Sequence, residues 1–301
     1  MIVQSHPVTD RETWLKWRQA DVTASDVAAV FGLHPWKTPL QLWSEKSGVD
    51  VSSPETAAMR RGRWLEDAVI AACRDHHPDW QIEKPGVYLR APDFRIGATP
   101  DAIAGNVAIQ CKTVADRSFR DSWGDGPPVH YQMQALTEAM MLNADRAILA
   151  VLVISPYGAD YHEFDVPRHP AAEARIKSAV PEFWRTIERG DAPKAQYVAD
   201  ADLLTKLHAP DAEKPPIDLT GDNRIQELLG ALENFKEGKA AAEDMIEGIK
   251  AEIVEKLAGA TIATLPGWQI THKMQTRKET VMKASTFPVL RITRKQEEKA
   301  A

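Results

Sequence analysis

Apolar residues at the start of the chain recur with the spacing of helix faces. Trp14, Leu15 and Trp17 follow Thr9 and Asp10, either of which can cap a helix. Val27, Val30 and Phe31 follow Thr23 and Ser25, candidate caps of a second helix that Gly32 ends. Pro54 to Arg74 predicts a longer helix, with Leu65, Val69, Ile70 and Cys73 on one side and Glu66 beside that face. The period then shortens. Val87 to Leu89, Phe94 to Gly97, Asp101 to Ala104 and Val107 to Lys112 predict short strands separated by Ala-Pro-Asp and Gly-Asn turn chemistry. Tyr131 to Leu142 returns to helical spacing. Arg146 to Ile154 is a nearly continuous apolar run, expected as a buried central strand, and Ala171 to Glu188 predicts one more covering helix. Helix, strand meander, helix and buried strand together predict an α/β sandwich.

Beyond this region, Lys194 to Gly221 is rich in Asp, Ala and Pro and reads as a linker. Asn223 to Leu257 contains no proline, and its Ile, Leu and Phe residues recur mostly every three to four positions. A single helix there would be roughly 50 Å long, too long to bury against a small core along its whole length, so it should pack on a partner or project. The segment from Trp268 to the end carries eight Lys or Arg against three Asp or Glu and holds VLRITRK, expected as an edge strand or basic arm. The expected organisation is a core over 1–195, a linker over 196–222, and a long helix with a basic tail over 223–301.

Composition narrows the function classes. The chain has 301 residues, 44% of them hydrophobic, with no apolar run long enough to span a bilayer and no leader-like start, so a cytoplasmic protein without membrane association is expected. Two cysteines, Cys73 and Cys111, are too few for a disulfide framework, a four-thiolate zinc site or a four-cysteine iron–sulfur cluster. Both read as small core residues. A formal charge of −6 argues against coating nucleic acid through bulk charge, though not against a local grip.

Strand alternation brings candidate chemistry together. Gln110 and Lys112 should point one way and Ile109 and Cys111 the other, and a hairpin turning at Gly105-Asn106 would converge Asp101 with Gln110 and Lys112, within reach of Glu66. A carboxylate cluster beside a lysine suits Mg²⁺ or Mn²⁺ and a water-mediated attack on a phosphodiester. Taken singly, each residue also has a plainer role. Asp101 fits turn chemistry, Gln110 and Lys112 the wet face of a strand, and Glu66 a solvated charge. Spacing alone leaves both readings open.

Four segments together resemble the YqaJ-type phage recombinases, relatives of lambda exonuclease in the PD-(D/E)XK nuclease superfamily: WLKWRQADVTASDVAAVFG, MRRGRWLEDAVI, GATPDAIAGNVAIQCKT and VHYQMQALTEAMM. The resemblance covers roughly residues 9–195. It implies a restriction-endonuclease-like α/β core, with a central mixed sheet flanked by helices, and two Mg²⁺ or Mn²⁺ ions. Carried over residue by residue, Glu66, Asp101, Gln110 and the Cys111 backbone carbonyl would hold metal, with Lys112 and Gln132 completing the catalytic set. Arg18 and Ser25 would contact the 5′-terminal phosphate; an arginine fork beside a hydroxyl at a helix start suits an anion. Gln110 departs from the family, which has an acid there. The amide oxygen can still ligate with weaker charge compensation, the chain can have kept DNA binding without cleavage, or Gln can have been introduced for Glu to trap substrate.

Two functions are therefore expected. The first is a 5′→3′ exonuclease on linear double-stranded DNA ends, leaving 3′ single strands for a strand-annealing partner, impaired to some degree by Gln110. The second is an inactive DNA-end-binding recombination scaffold. Trp36, Trp43 and Trp64 either stack at the DNA fork or belong to the core. Homo-oligomerisation, with the trimeric ring of lambda exonuclease as the pattern, and a phage or prophage origin in a bacterial host are implied by the resemblance alone.

Overall fold

The local signals become elements with few displacements in a computed structural model, which describes residues 1–49, 56–276, 284 and 288–292. The chain divides into two units, Met1–His208 and Ala209–Ala301. Strand β1 (Gln4–Pro7) leads to helix α1 (Arg11–Ala20), capped by Asp10, whose carboxylate accepts from the Thr13 amide at 2.7 Å. Next come β2 (Val22–Thr23), the one-turn helix α2 (Val27–Val30) and α3 (Pro39–Lys46), which opens on a capping box between Thr38 and Gln41. Neither Thr23 nor Ser25 caps α2; Asp26 stands there, and the two hydroxyls lie 2.9 Å apart in their own hydrogen bond. The expected long helix is α4 (Ala57–His76), capped by Thr56, while Pro54 and Glu55 lie outside the described residues.

The remaining elements of this unit are β3 (Ile82–Glu83), β4 (Val87–Ala91), β5 (Ile96–Ala98), β6 (Ala102–Ala104), β7 (Val107–Ala115), α5 (Asp116–Ser122), α6 (Val129–Leu142), β8 (Arg146–Ser155), β9 (Gly158–Pro167), α7 (Pro170–Arg189) and α8 (Ala201–Leu207). A five-stranded sheet runs β3-β6-β7-β8-β9, with β7 and β8 parallel and the other pairs antiparallel. Alternation sends Ile109, Cys111, Ile148 and Ala150 against Val69, Ile70 and Cys73 of α4. Ala108, Leu149 and Val151 face the other way, into a core shared with Ala135, Leu136 and Ala139 of α6. That core extends through Ile176, Val180 and Trp184 of α7 and onto a second sheet, β1-β4-β5-β2. The fold is thus a mixed sheet flanked by helices, as expected, and both cysteines are buried and free. The β6–β7 hairpin turns at Gly105-Asn106, with Gly105 at φ +53° in the first loop position, where a type II′ turn requires glycine.

Strand β9 has no counterpart among the sequence expectations. It pairs along the whole of β8, and Glu163, which accepts from Tyr161 Oη of its own strand at 2.9 Å, anchors it to the end of α4 by meeting His77 Nε2 at 2.6 Å. The linker also starts later than expected. Asp200, fully buried, accepts from the Gln196 amide at 2.7 Å and from Thr38 Oγ1 at 2.5 Å, and the Ala199 carbonyl accepts from Gln41 Nε2 at 2.9 Å. Residues 196–208 therefore close over the start of α3, and the linker begins at residue 209. A chain ending at His208 should unfold cooperatively in urea. One ending at residue 195 should be less stable by about 1–3 kcal/mol for each buried partner removed, and equal midpoints would show that the Asp200 clamp contributes nothing.

In the second unit, α9 (Asn223–Leu257) spans 35 residues behind an Asp222 cap that accepts from the Arg224 and Ile225 amides. It is the long helix expected from the sequence, with Phe235, Met245, Ile246 and Ile249 exposed. A hairpin, β10 (Ile262–Leu265) with β11 (Trp268–Thr271), follows it. The strand expected at VLRITRK is not present over residues 289–292, which have no regular structure, and residues 293–295 lie outside the described residues. No helix among the described residues is long and apolar enough to cross a membrane.

Candidate active site

Strand β7 pairs with β8 along its whole length but with β6 only over Val107–Ile109, so from Gln110 onward one edge of its backbone, as well as its side chains, is free to make a site. Gln110 is only 2% exposed. Its Nε2 donates to Asp101 Oδ2 and lies 3.4 Å from the Cys111 carbonyl oxygen. The Cys111 amide donates to the same Asp101 oxygen at 2.9 Å. On the helix side, Gln134 of α6 ties the group together. Its Nε2 donates to Gln110 Oε1 at 2.8 Å and to Glu138 Oε1 at 3.1 Å, while its Oε1 accepts from Lys112 Nζ at 3.0 Å. Lys112 also sits 5.0 Å above the Tyr131 ring. Asp101, Gln110 and Lys112 thus converge as the hairpin geometry requires.

The charge balance is that of an enclosed acid site. Burial pushes the Asp101 carboxyl up to about 6, against the pull of Lys112 and with the help of Glu66. Glu66, on α4, is near enough to act on Asp101, but its carboxylate is held by Lys84 Nζ at 2.8 Å. Burial, and then Asp101, raise the Glu138 carboxyl well above the usual carboxylate range. The Asp101 and Glu66 carboxylates and the Cys111 carbonyl are oxygen ligands, whereas Gln110 turns its Nε2 toward Asp101 and the carbonyl and its Oε1 toward Gln134, so the amide must rotate to offer an oxygen. Carboxylate and carbonyl oxygens are the ligand chemistry of a hard divalent cation, and behind them Glu138 Oε2 is enclosed and meets no donor among the described residues.

Gln132 does not join the group. It is exposed, and its Nε2 donates to the Pro127 carbonyl at 2.5 Å. Two residues turn a helix by about 200°, so Gln132 and Gln134 face opposite ways and only Gln134 reaches β7. The glutamine and the acid that the structure brings to this group, Gln134 and Glu138, are not the residues that the sequence singled out. The available signal was the i, i+4 spacing of Gln134 and Glu138 inside an otherwise apolar stretch.

Arg18 and Ser25 do meet. Arg18 Nη2 donates to Ser25 Oγ at 3.4 Å, and its guanidinium lies 4.7 Å above the Trp14 ring. Because α2 is a single turn, an anion here would be held by side chains rather than by a helix start. Asp26 bonds Thr23 Oγ1 at 2.7 Å and pairs with Lys37 at 2.9 Å. Burial alone would raise its carboxyl, but Lys37, Lys46 and Arg18 outweigh that and hold it far below its usual range. Trp14 Nε1 donates to Thr99 Oγ1 at 3.0 Å, joining the Arg18 helix to the turn that carries Asp101. Of the three tryptophans singled out, Trp43 packs on the core, whereas Trp36 and Trp64 are 71% and 67% exposed. Trp36 stands edge-on to His34 and His130, and His130 lies 4.0 Å from Tyr131, forming an aromatic wall that leads to Lys112.

Residues 13–145 match the YqaJ-like viral recombinase domain. An uncharacterised Bacillus subtilis protein, YqaJ, is 28% identical over 280 residues, which cover 89% of this chain and 86% of that protein. Among solved structures, the alkaline exonuclease LHK-Exo of Laribacter hongkongensis superposes with a TM-score of 0.51 at 20% identity, covering 64% of this chain and 99% of LHK-Exo. Its complex with dAMP gives 0.50 at 21% identity, over 66% and 98% of the two chains. The fold is shared with these exonucleases.

Proposed function

We propose, on the match of residues 13–145 to the YqaJ-like viral recombinase domain, that the chain is a Mg²⁺- or Mn²⁺-dependent 5′→3′ exonuclease. Its substrate is the end of linear double-stranded DNA, and its product is a 3′ single strand for annealing-type recombination. The observation that carries this reading is the convergence of Asp101, Gln110 and Lys112 on one buried group, tied by Gln134. Asp101, Gln110, the Cys111 carbonyl and Glu66 would hold the metal, Glu66 after exchanging its Lys84 partner. Divalent ions supply Lewis-acid charge at the scissile phosphate and a deprotonated water.

The chain's own groups do the rest. Lys112, its ammonium fixed on Gln134, positions the attacking water and offsets phosphate charge. Arg18 and Ser25 take the 5′-terminal phosphate, which sets the end from which strand removal proceeds. Trp36 and the His34–His130–Tyr131 wall present ring faces to an unpaired terminal base. The family resemblance supports extending the reading to a homo-oligomeric ring, a strand-annealing partner and a cytoplasmic, phage-encoded setting.

Digestion of 5′-phosphorylated linear duplex with Mg²⁺ or Mn²⁺ tests the proposal, and end binding without cleavage in either metal would replace it. That second reading, a DNA-end-binding scaffold, draws on one observation, the amide at position 110. The phosphate pocket has its own test. Arg18→Ala should shrink the preference for 5′-phosphate over 5′-hydroxyl ends by about 10- to 100-fold, the equivalent of a charge-assisted contact of about 1.5–3 kcal/mol. An undiminished preference in competitive digestion places the phosphate elsewhere.

A further inference from the structure

Position 110 carries an amide where the family resemblance implies an acid, yet the site holds a second, fully enclosed carboxyl group besides that of Asp101. Glu138 is 1% exposed on α6, in a run of buried residues from Ala135 to Met141. An unpaired glutamate in such a place is costly, and nothing in the packing of α6 calls for one: its neighbours Ala135, Leu136, Ala139 and Met140 are core residues. One carboxylate oxygen accepts from Gln134, the amide that also donates to Gln110. The other oxygen, equally enclosed, meets no donor among the described residues. Glu138 therefore stands one side chain behind Gln110, on the helix side of Asp101 and Lys112, with binding capacity that the protein does not use.

We propose that Glu138 is the acid of this site: a carboxylate set behind Gln134 that compensates divalent metal charge from the helix, in place of the strand acid that position 110 lacks. The inference rests on the nuclease reading above and deepens it. Glu138 acts as a positioning residue. Its charge orients the Gln134 amide, and Gln134 in turn orients Gln110 Oε1 and the Lys112 ammonium. Arrival of a dication favours the ionised form of a carboxyl that burial disfavours, so charge appears at Glu138 when the site needs it. Outer-shell partners of this kind commonly control metal affinity by about 10- to 100-fold.

The test is Mn²⁺ binding to the full chain, followed by electron paramagnetic resonance of free Mn²⁺, with duplex digestion measured in parallel. Glu138→Gln keeps the shape and removes the charge; it should weaken Mn²⁺ binding by about 10- to 100-fold, with a matching fall in digestion. Adding Gln110→Glu to Glu138→Gln moves the acid to the strand and should restore most of the loss. A merely structural glutamate would not be rescued by an acid on another element. Gln110→Glu alone should raise affinity by less than about threefold, and this arm decides the matter even if Glu138→Gln fails to fold. Undiminished Mn²⁺ binding in Glu138→Gln, an unrescued double variant, or a rise of about 10²-fold in Gln110→Glu alone would each overturn the inference. Failure of the unaltered protein both to bind Mn²⁺ and to cleave would overturn the nuclease reading and this inference with it.

Discussion

Asp101→Asn should reduce duplex digestion by about 10²-fold or more while leaving the protein folded. The substitution removes a negative metal-ligating oxygen and keeps the acceptor that the Cys111 amide uses at 2.9 Å, so the hairpin retains its register. Stability should move the opposite way from activity. Burial raises the Asp101 carboxyl from its ordinary value of 3.8 to about 6, so in the metal-free protein its ionised form is disfavoured on folding. For an acid with a raised folded value, stability is fully present below pH 4 and falls as pH climbs through 6, because the unfolded chain gives up its proton first. At pH 7, with metal chelated, Asp101→Asn should therefore melt at or above the temperature of the unaltered chain. At pH 4 the advantage should vanish. Asp101→Ala should instead lower the melting temperature, since it leaves the buried Cys111 and Gln110 donors without an acceptor, at about 1–3 kcal/mol each. Undiminished digestion by Asp101→Asn would move the chemistry away from this hairpin.

The strand half of this site is legible in the sequence because a period of two leaves no freedom. Once Ile109 and Cys111 face α4, Gln110 and Lys112 must face α6, and the turn at Gly105-Asn106 fixes the register that sets Ala102 opposite Ile109 and so brings Asp101, the residue before it, beside Gln110. The helix half is not legible in the same way. Gln132 and Gln134 look interchangeable in HYQMQALTEAMM, and the packing of Ala135 and Ala139 into the core decides which one points at the strands. Glu138 is hidden for the same reason, since a glutamate between Thr137 and Ala139 reads as a solvated break in an apolar run. The ion pair that occupies Glu66 comes from Lys84, which only the turn of the chain after α4 brings into reach. Asp200 sits in a stretch whose Asp, Ala and Pro content suits a linker, and its burial is a property of tertiary structure. Strand β9 escaped because its sequence, GADYHEFDVP, is mostly polar, as an edge strand's can be when only part of one face is covered.

Gly97 is where the fold should be most sensitive to a single methyl group, and Gly97→Ala should lower stability by about 2–5 kcal/mol. Gly97 pairs with Arg90 of β4 on one side and Thr23 of β2 on the other. A Cβ there would lie 2.6 Å from Tyr88 Cζ, closer still to the Tyr88 hydroxyl, and 3.2 Å from Asp21 Cβ. Tyr88 has nowhere to go. It is fully buried, its ring stacks on Trp17 at 5.5 Å, and its hydroxyl donates at 3.2 Å to Asp21. Asp21, also fully buried, accepts from Arg90 Nε at 2.7 Å and Nη2 at 2.9 Å, so displacing the tyrosine loosens a two-pronged ion pair. For a folded unit of this size the change should lower the melting temperature by roughly 5–15 °C. Function should follow, because Asp21 lies between Arg18 and Ser25 and holds the end of α1 against β4. The preference for 5′-phosphorylated ends should fall with stability, even at temperatures where the variant remains folded. Adding Tyr88→Phe should recover only part of the loss, since it removes the hydroxyl clash but leaves the ring carbon at 2.6 Å. An unchanged melting temperature in Gly97→Ala would show that β4 and β5 can part without cost, and that the Asp21 cluster does not set the geometry of the phosphate pocket.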